Sequence, residues 1–82
     1  MSDYLAYHDT CGLKAGDKVR ILRIAKDEED GWDNFWIEDM DEYVGKTGEI
    51  THDGGLTGFW VIMDQDDEEW GFPFFVLEKV ED

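Results

Sequence analysis

GKTGEIT (residues 45–51) and GFWVIM (residues 58–63), joined by the turn signal DGG (residues 53–55), decide the fold of this chain. Aspartate and glycines between two apolar runs are typical of a tight turn, so the two segments predict the strands of a central β-hairpin. Phe59 alternates along the second strand with other apolar residues. This alternation predicts that Phe59 lies in the core.

Three further strands are predicted outside the hairpin. Lys18–Ile24 starts as an alternating strand, but its apolar residues change face after Ile21, which indicates a bulge or a strong bend there. Glu69–Phe72 forms a strand that Pro73 ends, and Val76–Val80 forms the last strand after a single turn of 3₁₀ helix. Five short strands with one long early loop predict an all-β fold, a small and strongly bent barrel.

Aromatic side chains are expected to fill so small a core, because each ring buries a large apolar area. By this reasoning Phe72 and one of Phe74 and Phe75 are predicted to be core residues. Within the long loop, Met40–Val44 is predicted to form one helical turn before a glycine. The N-terminal residues 1–11 are expected to be a flexible tail, and residues 12–82 to be the folded domain.

Two motifs resemble Src-homology-3 domains. Leu13–Leu22 looks like the Gly-Asp turn and following strand of that family, and Gly71–Val80 is similar to its C-terminal end. Tyr43–Ile50, taken with Glu69–Pro73, is similar to small SH3-like proteins of bacteria and their phages. The resemblance implies a five-stranded SH3-like barrel with a long acidic first loop and a short 3₁₀ turn before the last strand.

The charge of the chain narrows the classes of partner. Its 82 residues include 22 acids and 7 basic residues, for a formal net charge of −15, while 41% of the residues are hydrophobic. This apolar share is enough for one folded domain, and the charge disfavours direct binding to nucleic acid or to an anionic membrane. The single cysteine excludes an internal disulfide, and no apolar stretch reaches transmembrane length. We expect a cytoplasmic monomer.

Two acidic runs carry aromatic residues and predict the recognition surface. Residues 27–42 hold nine carboxylates without a Lys or Arg, and residues 64–69 hold five carboxylates directly before Trp70. Acids beside aromatic rings attract cations and also offer apolar contact area. The predicted partner-binding residues are Trp32, Trp36, Trp60, Trp70, Asp27, Glu28, Glu29, Asp30, Asp66, Asp67 and Glu68.

The sequence also allows three of these tryptophans to be covered by other parts of the chain. Trp36 could fold back over the end of the barrel, as residues of long loops often do. Trp60 could be covered by the same loop. Trp70 could belong to the core or form one wall of a cleft.

Metal, cofactor and catalytic sites are not predicted. Asp64, Asp66 and Glu68 have the spacing of the start of a calcium loop, but Glu69 stands where that loop needs glycine. His8, Cys11 and His52 lack the paired spacing of zinc motifs. No nucleophile, phosphate-binding or dinucleotide signature is present, and exposed acids have nothing to raise their pKa for general-acid catalysis. The sequence predicts a protein that is not an enzyme.

The leading hypothesis is an interaction module that binds a basic protein or peptide segment. One variant is capture of a methylated lysine in an aromatic cage, which requires three rings around one point. The alternative is an acidic nucleic-acid mimic that occupies a DNA- or RNA-binding host protein. A third interpretation is a domain whose acids serve only solubility in a high-salt cell.

Overall fold

The computed structural model describes residues 4–80, with a radius of gyration of 11.5 Å. Within this range the regular elements are one α-helix and five β-strands. They are α1 (Tyr4–Thr10), β1 (Lys18–Ile21), β2 (Thr47–Asp53), β3 (Phe59–Met63), β4 (Glu69–Phe72) and β5 (Leu77–Lys79). Short 3₁₀ segments lie at Glu29–Gly31, Glu38–Tyr43, Gly55–Thr57 and Phe74–Val76.

The five strands form one antiparallel sheet in the order β4-β3-β2-β1-β5. An all-β architecture is therefore confirmed, and so are the central hairpin of β2 and β3 and the 3₁₀ turn before β5. The closed barrel was a wrong prediction, because β4 and β5 lie at opposite edges of the sheet. Closure requires strands to tilt and stagger until the two edges of the sheet meet, and the edge strands β4 and β5 have only four and three residues.

Strand β1 ends where a bulge was predicted. Val19 and Ile21 are buried, as the alternation predicted, and the strand stops at Ile21. Leu22 and Ile24, which were predicted to continue the strand with their side chains on its other face, are exposed. They lie in the loop that follows β1. The observed irregularity in register lies in β2, between Ile50 and His52.

The core lies on one face of the hairpin. Phe59, Val61 and Met63 of β3 are fully buried, and Phe72 of β4 is fully buried beside them. The core predictions for Phe59 and Phe72 are confirmed, while Phe74 and Phe75 are both partly buried against the core.

Gly58 is required where β3 begins. It has φ of +96°, and a Cβ atom there would lie 2.3 Å from the carbonyl oxygen of Phe72. A side chain at this position would separate β3 from β4, so the chain needs glycine there.

The long first loop, residues 22–46, connects β1 to β2 and carries the first acidic run. Its predicted helical turn is present as the 3₁₀ helix Glu38–Tyr43, which buries Met40 and Tyr43. The loop therefore contributes side chains to the core.

The N-terminal segment differs from the predicted flexible tail. Residues 4–10 form helix α1, and both Tyr4 and His8 are buried. The two side chains share one helix face at a spacing of four residues, which lets that face pack on the sheet and on Phe74. Residues 1–3 lie outside the described range. Across residues 4–80, helix α1 and the 3₁₀ segments are too short or too polar to span a bilayer.

Candidate functional site

The four tryptophans occupy different environments, and Trp32 is not on the surface. Its side chain is fully buried, and its Nε1 donates a hydrogen bond of 2.8 Å to the carbonyl oxygen of Thr57. A Cβ atom on Gly58 would lie 2.9 Å from the same nitrogen, so the indole sits directly against the backbone. Trp32 is a core residue, and its prediction as a partner-binding residue was wrong.

Trp36 folds back over the core, which was the alternative left open for it. Its ring packs edge to face on Phe72 with 5.6 Å between centroids. Its Nε1 donates to Asp41 Oδ1 at 2.7 Å, and its backbone N–H donates to Asp27 Oδ1 at 2.9 Å. These contacts fix the loop and leave Trp36 half-buried.

Trp60 and Trp70 line an apolar cavity of about 180 Å³ on neighbouring strands. Its lining is Asn34, Phe35, Ile37, Met40, Trp60, Trp70 and Gly71. Trp60 is paired with Gly71 across β3 and β4, and a Cβ atom on Gly71 would lie 3.0 Å from Asn34 Nδ2 and 3.5 Å from the Trp60 ring. The missing side chain at Gly71 therefore opens the floor of the cavity.

A second cavity of about 400 Å³ adjoins the first and is acidic. Its lining is Asp39, Glu42, Tyr43, Asp66, Glu68 and Trp70. Trp70 lines both cavities, so its side chain separates the apolar groups of the first from the carboxylates of the second. We call the two cavities together the groove.

Tyr43 connects the two acidic runs within the groove. Its hydroxyl donates a hydrogen bond of 2.8 Å to Asp66 Oδ2, and its ring centroid is 6.1 Å from that of Trp70. Burial and the hydrogen bond to Asp66 raise the pKa of Tyr43 to about 12, so the phenol is neutral at physiological pH. The Trp70 Nε1 is buried beside the Tyr43 side chain.

The carboxylates of the groove are not neutralised by basic residues. Within the described range, the ion pairs of the chain use other acids, and Asp39, Glu42, Asp66 and Glu68 take part in none of them. The same loop region contains an exposed apolar rim, since Phe35 is 59% and Ile37 is 44% exposed. The groove therefore combines free negative charge with uncovered apolar surface.

The first four predicted acids lie outside the lining of the groove. Glu29 binds Arg23 at 2.9 Å and accepts the backbone N–H of Lys26, and the Arg23 hydrogen bond is the main reason that the pKa of Glu29 is lowered. Asp27 holds the Trp36 backbone. Glu28 and Asp30 have positive φ angles of 55° and 52°. This part of the run shapes the loop.

The second run contributes two of its three predicted residues. Asp66 and Glu68 line the acidic cavity, whereas Asp67 has a φ of 59° and forms the turn between β3 and β4. Asp64, the first residue of the same run, forms an ion pair with Lys18 at 2.8 Å and accepts a hydrogen bond from the Thr47 hydroxyl at 2.7 Å. The hydrogen bonds from Lys18 and Thr47 lower the pKa of Asp64.

A separate cluster lies where α1 meets the end of β2. The His8 side chain is fully buried, and its Nε2 is 2.7 Å from Asp53 Oδ1. Its ring stacks on Phe59 with 4.1 Å between centroids. His8, Asp9 and Asp53 each place a donor atom within 4.8 Å of the others. Sequence reasoning missed this cluster, because Asp53 lies more than 40 residues along the chain from His8 and Asp9.

Comparison with protein-family models, with curated proteins and with solved structures gave no match.

Proposed function

We propose that this protein is a non-enzymatic interaction module that binds a positively charged segment of another protein in the groove. The observation that carries the proposal is that Trp70 lines both the apolar and the acidic cavity. An apolar side chain of the partner enters the first cavity, and a neighbouring Lys or Arg side chain enters the second. This pairing of a desolvated apolar anchor with rim charges is the usual design of a binding hot spot.

The acidic cavity suits a cation in two ways. The four carboxylates attract it electrostatically, and the partly exposed Trp70 ring offers cation–π contact. Because the groove acids have no basic partner in residues 4–80, binding does not require breaking an existing ion pair. The net charge of −15 steers a basic segment toward the protein over a longer range.

An SH3-like relationship stays part of the proposal. The 3₁₀ turn Phe74–Val76 directly before β5 and the long acidic loop after β1 support it. We further expect a cytoplasmic monomer.

Synthetic peptides test the proposed function. Isothermal titration with peptides that contain Arg next to Leu should give saturable binding, and replacing the Arg by citrulline should abolish it. Trp70→Ala should weaken this binding by about tenfold or more, or about 1.4 kcal/mol. Tyr7→Ala is the control, because Tyr7 is 61% exposed on α1 and lines neither cavity.

Charge variants distinguish a specific groove from general acidity. Glu42→Gln should reduce affinity, whereas Glu49→Gln removes the same charge from an exposed position on β2 and should have little effect. Equal losses for both variants would contradict the groove and favour the nucleic-acid mimic, whose binding depends on the number of acids.

A further inference from the structure

We propose that His8, Asp9 and Asp53 form a binding site for a divalent transition-metal ion of the zinc type. The three residues offer one imidazole nitrogen and two carboxylates, with their donor atoms within 4.8 Å of one another. Ligands that are each about 2.1 Å from an ion lie about 3.4 Å apart in tetrahedral geometry. A movement of roughly 1.4 Å or less by the exposed carboxylates therefore brings the donor atoms to this spacing.

His8 is held in the orientation that a metal ligand needs. Its ring is fully buried and stacked on Phe59, so Nε2 points at Asp53 and cannot turn away. Its Nδ1 is 3.2 Å from the hydroxyl oxygen of Tyr4. Metal-binding histidines usually donate their second ring N–H to an oxygen. In the metal-free chain Nε2 donates to Asp53, so its proton leaves when the ion binds, and the Tyr4 oxygen then accepts from Nδ1.

The Tyr4 hydroxyl is itself fixed. It accepts the backbone N–H of Phe74 at 3.3 Å. Tyr4 is therefore held in the position from which it orients His8.

Asp53 can bind an ion and keep its hydrogen bond to the Gly55 backbone. Asp53 Oδ1 accepts the backbone N–H of Gly55 at 2.7 Å, which leaves Oδ2 for the metal. Asp9 is exposed at the end of α1 and can move toward Asp53. A nitrogen ligand favours zinc over calcium and magnesium, which prefer oxygen ligands only.

Binding would connect α1 to the end of β2. The ion displaces the proton of His8 Nε2 and replaces the direct His8–Asp53 contact with two bonds to one centre. Because the unfolded chain does not assemble the site, metal binding stabilises the folded state. The site shares no residue with the groove, so either proposal can fail without the other.

Titration of the full chain with zinc chloride tests the site. Calorimetry should give one site per chain, and zinc should raise the melting temperature while magnesium should not. Asp9→Asn should weaken zinc binding by about tenfold or more, because it removes one of three ligands. Asp33→Asn is the matched control, since Asp33 is also exposed and its charge loss is equal. Equal affinity of the two variants, or no saturable zinc binding, would overturn the proposal.

Histidine variants and NMR give an independent measurement. His8→Gln should abolish the zinc site, whereas His52→Gln, at the other histidine of the chain, should retain it. In the wild type, zinc should change the ¹⁵N shift of His8 Nε2 and leave Nδ1 protonated. An unchanged His8 spectrum at saturating zinc would place the ion elsewhere and refute the assignment, even if His8→Gln does not fold.

Discussion

Replacing Trp32 by alanine should destabilise the protein strongly. The side chain is fully buried, and truncating a buried tryptophan costs about 3 to 5 kcal/mol. The lost hydrogen bond to the Thr57 carbonyl adds about 1 kcal/mol or less. That carbonyl still accepts from Asn34 Nδ2 at 3.2 Å, so no buried acceptor is left without a partner.

This cost is a large share of the total stability. A chain of this size has a free energy of unfolding of about 4 to 12 kcal/mol. With a urea dependence of roughly 1 to 2 kcal/mol per molar, the midpoint of unfolding should fall by about 1.5 to 6 M. A wild type near the lower bound would be mostly unfolded as Trp32→Ala even without urea.

Urea titration followed by far-UV circular dichroism measures this, because the signal does not depend on the removed indole. Trp60→Ala is the matched control, since Trp60 is only half-buried and should cost about half as much. A midpoint for Trp32→Ala as high as that for Trp60→Ala would refute the assignment of Trp32 to the core. Trp32 would then return to the candidate binding surface.

Three other predictions concern the groove and the charges. Gly71→Ala should narrow the apolar cavity, because the new Cβ atom lies 3.0 Å from Asn34 Nδ2. Calorimetry should then show weaker binding of the Arg-Leu peptide, while the free energy of unfolding changes by less than about 1 kcal/mol. Asp64→Asn should be less stable than the wild type at neutral pH, because the pKa of Asp64 in the folded state is lowered from 3.8. In acid titrations the difference in free energy of unfolding should shrink below pH 3.8 and disappear as pH falls through the folded pKa. Sodium chloride should raise the melting temperature, because the Debye length falls from about 10 Å at 0.1 M to about 3 Å at 1 M, and a decrease would show that ion pairs outweigh self-repulsion.

The strands that were predicted well are those with local signals. β3 and β4 follow from alternation, the Asp-Gly-Gly turn and Pro73, all of which act over a few residues. Barrel closure was not predictable in this way, because it depends on whether the edge strands β4 and β5 meet in space, for which there is no local signal. Helix α1 was missed because a helix of seven residues is unstable alone and forms through packing of Tyr4 and His8.

The candidate groove was predicted in part. Trp60 and Trp70 lie on strands, where alternation relates each ring to its neighbours, but the sequence left open whether either ring is covered. Trp32 and Trp36 lie in an irregular loop without periodicity, so sequence gave no means to tell the buried ring from the half-buried one. The apolar cavity also depends on Gly71, whose contribution is the absence of a side chain and leaves no signal in the charge pattern.

The acids of this chain divide into those that hold the fold and those that are free to bind. Glu29 and Asp64 have basic partners that lower their pKa, and Asp27 caps a backbone N–H, so their charge is used within the protein. The groove acids have no basic partner in residues 4–80, although they belong to the same two acidic runs as the paired acids. The density of acids along the sequence therefore does not locate the site. The site lies where acids without a lysine or arginine partner are next to the Trp70 ring.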